Sequence, residues 1–322
     1  MTETLATTRQ STTLTSFQEL TDKAREYAGQ AKAPNTKRAY SRDWEDFVSW
    51  CGERDLVPLP ASPDVVALYL TDLAGRRRPS TLQRRISAIS KAHKMAGHDT
   101  PTASEQVKVV MAGIRRTHGT VQEGKAPMTI EMLRTICEQL GQDLQGKRDR
   151  ALLLVGFAGA FRRSELVSLT VSDVRESSDG LILTLRYSKT DQEGAGRNVG
   201  IPYGSNPDTC PVRALKAWLG AAGIDEGPLF RGVDRHGNVS DRALSGRAIA
   251  LIVKRCVEAI GLDPDSYAGH SLRAGLATSA AAAGVSERII MKQTGHKSEK
   301  MVRKYIREGS LFRDNAAAQV GL

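Results

Sequence analysis

Long apolar runs are missing from this 322-residue sequence. No stretch reaches the roughly eighteen consecutive apolar residues of a spanning helix, so no membrane segment and no membrane partner is expected. The opening residues, MTETLATTRQSTTLTS, lack the apolar segment of a secretory signal and read as a disordered Thr/Ser tail over residues 1–16. Cysteine is scarce, and Cys51, Cys137, Cys210 and Cys256 match no zinc-ligand spacing. Without a secretion signal they are expected to be reduced, buried thiols in the cytoplasm. A working phosphate loop is also absent. Gly141-Gln-Asp-Leu-Gln-Gly146-Lys147 resembles one, but Arg148 stands where Ser or Thr is needed. Gly194-Ala-Gly196 lacks the third glycine of a dinucleotide motif. No metal and no cofactor is expected, and there is no internal repeat.

What remains is a basic, globular composition. Hydrophobic residues make up 40% and charged residues 25%, enough for packed cores, and the length suggests about two domains. The net charge of +10 points to a polyanionic partner, nucleic acid ahead of an anionic membrane. Positive charge concentrates between Arg76 and Lys94, a segment without a single acidic residue. A charge run is usually a solvated face. This one covers a turn and a helix, which favours phosphate contacts by Arg76, Arg77, Arg78, Arg84, Arg85 and Lys91. Ser80, Thr81, Gln83 and Arg84, at the start of that helix, could reach base edges in a major groove.

Periodicity divides the chain. Residues 17–117 read as helices throughout: one from Thr36 to about Cys51 capped by Asn35, one opening at Pro63-Asp64, one from Ser80 or Thr81 to Met95, and one from Ser104 to Arg116. The polar, glycine-containing segment 118–127 reads as a linker. Residues 128–322 read as a second, mostly helical domain. Its helices are expected at 129–140, 147–160, 211–222, 241–261, 270–283, 286–294 and 298–307, with a short one around Phe312–Gln319. A hairpin is expected from Leu181–Tyr187 and Asn198–Pro202.

Chemistry-bearing residues lie in the second domain. Arg162-Arg163-Ser-Glu165 follows the apolar helix ALLLVGFAGAF, and two arginines there are costly unless they have a partner or a task. Near the C-terminus come His270-Ser-Leu-Arg273, Gly295-His296 and Tyr305. Each taken alone is ordinary: a satisfied histidine, a solvated arginine, a packed tyrosine. As an ordered set they suit attack on a phosphodiester. A phenol with pKa near about 10 needs a base and nearby positive charge to become a nucleophile, and arginines neutralise phosphate oxygens.

With Lys189 in Tyr187-Ser-Lys189-Thr, this set resembles the tyrosine recombinases of the phage integrase family over residues 128–307. The short two-domain layout is most like the Cre-type members. The resemblance implies a mainly α fold: a helical core-binding domain and a mixed α+β catalytic domain with a small β-hairpin or sheet. It implies a site-specific DNA recombinase that cleaves and rejoins strands through a 3′-phosphotyrosine, without metal or ATP. Tyr305 would be the nucleophile, with Arg162 and Arg273 on the non-bridging oxygens. Lys189 would protonate the leaving 5′-oxygen, His270 would assist proton transfer at the tyrosine, and His296 would hydrogen-bond a phosphate oxygen. Glu165 would orient its neighbours. Arg162 is selected over Arg163 because the family's arginine stands three before the glutamate. Arg242, Ser245 and Arg247 would lie in a major-groove helix. The partners implied are double-stranded DNA with inverted half-sites and a homotetramer on DNA, with the tail after Tyr305 (Leu311, Phe312, Ala316 to Val320) docking on a neighbouring protomer. The expected location is the cytoplasm, with the nucleoid. A type IB topoisomerase shares the chemistry, and a DNA-binding regulator with a dead site is the non-enzymatic alternative.

Overall fold

The computed structural model describes residues 18–27, 34–120, 124–186, 196–296, 298, 299, 302, 303 and 305. The chain divides into two compact units, Met1–Glu123 and Gly124–Leu322.

The first unit is built from helices α1 (18–27), α2 (Pro34–Gly52), α3 (Pro63–Leu73), α4 (Pro79–Met95) and α5 (Glu105–His118). Ser62 and Ser104 cap α3 and α5 by accepting from Val65 N and Val107 N. α2 starts earlier than expected, at Pro34, because a proline is pre-set for a first helical position. Asn35 lies inside it and accepts from Arg38 at 2.7 Å instead of capping. Phe47, Tyr69, Leu70, Leu82 and Ile89 fill the core between α2, α3 and α4.

Two of the α4 arginines are paired with acids of α2, Arg84 while still exposed and Arg85 buried. Arg84 is bidentate to Asp43 at 2.7 and 3.0 Å. Arg85, 6% exposed, bonds Asp46 and the Tyr69 hydroxyl. This corrects the expectation that Arg85 contacts DNA. The basic run contains no acid of its own, but α2, packed against α4, supplies Asp43 and Asp46 one turn apart.

The second unit opens with α6 (Ile130–Gln139) and α7 (Leu144–Ala158). Asp143 caps α7 through Gly146 N at 2.8 Å. The backbone N–H that a phosphate loop would offer to its ligand is therefore already bonded. α7 is buried on every side from Ala151 to Phe157, as its unbroken apolar sequence requires. It ends near α8 (Arg163–Ser168). A three-stranded antiparallel sheet follows: β1 (Val174–Ser177), β2 (Gly180–Leu185) and β3 (Arg197–Pro202). β1 was not foreseen, being short and largely exposed. β2 and β3 pair from Gly180–Pro202 to Leu185–Arg197.

Beyond α9 (Pro211–Ala222) lies a second hairpin, β4 (Arg231–Val233) and β5 (Val239–Ala243). It takes the place of the first turn of the helix expected from 241. α10 runs only over Gly246–Ala259, capped by Ser245. Arg242 is thus on an exposed strand, Ser245 is a cap, and Arg247 is exposed in the first helical turn. α11 (Ser271–Ala282) and α12 (Glu287–Thr294) follow, and Glu299, Val302, Arg303 and Tyr305 beyond them are also helical. α11 lies close against its neighbours. A Cβ on Gly156 would come within 2.9 Å of Leu272, and one on Gly275 would collide with the Met128 carbonyl.

All four cysteines are buried and unpaired. Burial pushes the Cys137 thiol up to about 11 and the Cys256 thiol up to about 12, which makes both inert. Among the described residues no helix is long and apolar enough to cross a membrane.

Candidate active site

The site begins at the sharp turn that ends α7. Gly159 leaves room for the Phe161 ring, and Ala160 adopts a left-handed φ of 48°. Phe161 is buried, so the following Arg162 emerges from the core as the N-cap of α8. Its backbone N donates to Glu165 Oε2 at 2.8 Å, and its Nη1 donates to Oε1 at 2.6 Å. Glu165 is 1% exposed and its charge is met by this clamp. The turn therefore holds Arg162 in one geometry through both its main chain and its side chain.

Ala160 also holds the second arginine. Arg273, in the first turn of α11, is fully buried, and its Nη1 donates to the Ala160 carbonyl at 2.8 Å. Its Nε and Nη2 are buried with no hydrogen-bond partner. Burial first, then the like charges of Arg162 and Arg197, lowers its pKa to about 10, partly opposed by Glu165. Arg273 is still a cation at neutral pH, with two donors unspent.

His270 is the N-cap residue of α11, three positions before Arg273. Its Nε2 lies 2.9 Å from the Tyr305 hydroxyl. Tyr305 is only 8% exposed and packs with Ala274, Ala277, Ala281, Ile290 and Val302. The small residues of α11 make room for the ring, and its polar tip is left at the histidine. That contact spans 35 residues and could not be read from spacing.

His296 follows the left-handed C-cap Gly295 of α12. Its Nδ1 is 2.7 Å from Thr294 Oγ1, whose own hydroxyl donates to the Ile290 carbonyl. Burial, then Arg273, Arg162, His270 and Arg197, depresses the His296 pKa to about 3. The imidazole is neutral at physiological pH, and its ring centroid stands 6.1 Å from that of Tyr305.

Arg162, Glu165, His270, Arg273, His296 and Tyr305 converge in this one region of the second unit. Lys189 lies outside the described residues. Arg163 is exposed, but its stem lies over Gly269 and Gly246: a Cβ on either would meet it at 3.1 or 3.0 Å. It links the approach to His270 with the start of α10. Two contributors were missed in the sequence: Thr294, which orients His296, and Arg197. Arg197 shares the inward face of β3 with the buried Val199 and Ile201, and that phase was its readable signal.

On the first unit, Arg76, Arg77, Arg78, Ser80 and Gln83 are exposed, and Thr81 and Lys91 are half-buried. Gln83 accepts from Arg115 of α5, which extends the basic face beyond the segment first singled out.

The Phage integrase family model matches residues 126–310. The integrase/recombinase xerD homolog of Selenomonas ruminantium is 44% identical over 298 residues, 91% of this chain and 87% of that protein. Recombinase cre of Escherichia phage P1 is 26% identical over 287 residues, 83% and 81% of the two chains. In fold, the chain is similar to a lambda integrase dimer bound to a COC' core site, with a TM-score of 0.60 at 18% identity over 92% of this chain and 96% of that one.

Proposed function

The chain belongs to the phage integrase family and is a site-specific tyrosine recombinase acting on DNA, and from that premise we propose that Tyr305 is the nucleophile, with Arg162, Lys189, His270, Arg273 and His296 as its catalytic partners. The observation that carries this assignment is the 2.9 Å approach of His270 Nε2 to the Tyr305 hydroxyl, beside the unspent donors of Arg273. His270 accepts the phenolic proton as the oxygen attacks phosphorus. Arg162 and Arg273 draw charge from the non-bridging oxygens. Lys189 protonates the 5′-oxygen as its bond to phosphorus breaks. The 3′-phosphotyrosine conserves the phosphodiester, so rejoining needs no ATP. Glu165 keeps Arg162 aimed.

The first unit binds the DNA core through the exposed face of α4, with Arg76, Arg77, Arg78, Ser80, Thr81, Gln83 and Lys91. Arg84 contributes what its pairing with Asp43 leaves over. Arg242, Ser245 and Arg247 bring the start of α10 to the duplex. The proposed location, for a recombinase acting on DNA, is the cytoplasm, with the nucleoid. Two protomers occupy inverted half-sites, and two such duplexes make a tetramer. The second unit carries an apolar groove of about 420 Å³ lined by Phe157, Leu276, Ala280, Ile289 and Ile290 among others. The apolar side of a neighbouring protomer's tail, Leu311, Phe312 and Ala316 to Val320, fits it in chemistry.

Covalent trapping tests the assignment. Purified protein is incubated in EDTA with DNA flanking its own gene, and SDS-resistant adducts are sought. An adduct lost in Tyr305→Phe with DNA binding kept supports the tyrosine mechanism. Specific binding without any adduct would point to a DNA-binding regulator.

A further inference from the structure

We infer that Arg197 is a third guanidinium of the scissile-phosphate site, its Nη2 donating to an oxygen of that phosphate beside Arg162 and Arg273. The inference rests on the recombinase reading above.

Arg197 opens β3, opposite Leu185 at the end of β2, and faces inward with Val199 and Ile201. Its Nη1 donates to the Gln293 carbonyl on α12 at 3.1 Å. The Gln293 side chain in turn donates to the carbonyls of Ala158 and Gly200 at 2.7 and 3.1 Å. The end of α7, strand β3 and helix α12 are thereby tied together around this guanidinium. It also lies directly on Gly295: a Cβ there would come within 2.8 Å of Arg197 Cζ and Nε. The glycine before His296 therefore serves both the left-handed cap and the close approach of Arg197.

Arg197 Nη2 is buried and has no hydrogen-bond partner, as are Arg273 Nε and Nη2. Arg197 shares its electrostatic surroundings with the catalytic groups. Burial lowers its pKa, Glu165 opposes that and Arg162 adds to it. Its own charge acts on Arg273 and His296. A buried N–H left unbonded is destabilising, and a like charge beside it adds to the penalty. Among the described residues the carboxylate that acts on both Arg197 and Arg273 is Glu165, and it is already clamped by Arg162. An incoming phosphate offers what the set lacks: negative charge and acceptor oxygens for the unbonded donors.

The test compares wild type, Arg197→Gln and Arg197→Lys in covalent-adduct formation on a duplex carrying the mapped cleavage site. The duplex is made with either the natural phosphate or a neutral methylphosphonate at the scissile step. On the natural phosphate, Arg197→Gln should slow adduct formation by about 10²-fold, the loss typical of one transition-state donor, and Arg197→Lys should recover part of it. On the methylphosphonate there is no charge to neutralise, so the gap between Arg197→Gln and wild type should close. The melting temperature of DNA-free Arg197→Gln should be unchanged or raised, because a charge is removed from among like charges. Adduct formation at the wild-type rate by Arg197→Gln would overturn the inference alone. So would a defect of equal size on both linkages, which would make Arg197 only a brace for Gly295 and His296. If wild type itself forms no adduct, the recombinase reading falls and this inference falls with it.

Discussion

Arg273 is the residue where folding and function are most opposed. It is fully buried, with two donors unbonded, which weakens the folded state unless an anion is present. Arg273→Ala should lower the adduct-formation rate by about 10²–10³-fold, the loss of one preorganised charge contact, with specific DNA binding largely kept. Single-turnover cleavage beside a binding titration measures both. His296 gives a pH signature. Its folded pKa is near about 3, against about 6.5 for an unfolded histidine. Between these values the unfolded chain holds the extra proton, so stability falls as pH drops from about 6.5 toward 3. His296→Gln removes this contribution. Its melting temperature should fall less than that of wild type between about pH 7 and pH 5.

At the scale of elements, the α2–α4 contact is where the basic run is divided between structure and surface. Arg85, chiefly by its hydrogen bond, holds the Asp46 carboxyl below its ordinary pKa, partly opposed by burial. That contribution is fully present above about pH 4, the unfolded value, and is lost as pH falls through the folded one. Asp46→Asn should destabilise the first unit by roughly 1–2 kcal/mol at neutral pH, between the worth of exposed and buried pairs. The deficit should shrink in acid, as read by urea denaturation at both pH values. α11 offers a steric test. Gly275→Ala drives a Cβ into the Met128 carbonyl and should destabilise by roughly 1–3 kcal/mol, the usual range for overpacking. That fold defect should be measurable on DNA-free protein. The helices of the first unit show how far local pattern reached. α3 and α5 are legible from Pro63-Asp64 and Ser104 because helix starts are signalled locally. The division of Arg84 and Arg85 from Arg76, Arg77 and Arg78 was not, because their acidic partners lie about forty residues away on α2.

For the whole molecule, the proposed tetramer would rest on the tail of one protomer and the apolar groove of its neighbour. Deleting residues 309–322 should leave half-site binding intact and weaken recombination between two sites. Ile289→Arg places a charge in the apolar groove, on a side chain already 59% exposed, and should reproduce that deficit without unfolding the protomer. Native gel shifts with one and with two half-sites separate the two effects. Unchanged recombination by both variants would remove the tail and groove from the assembly.

The sequence by itself determined the chemistry on offer. It supplies a phenol, arginines, histidines and a lysine in a diagnostic order, on a basic chain with two helical domains. Side-chain identity and short-range periodicity are local properties, and a linear sequence carries them whole. The tertiary structure alone decided which of those groups meet. It brought His270 to Tyr305 across 35 positions and turned Arg85 inward while Arg77 stayed out. It also bent the chain at Ala160 so that one carbonyl steadies Arg273, and set Arg197 against Gly295. These are long-range contacts selected by packing and burial, and burial is what makes His296 neutral.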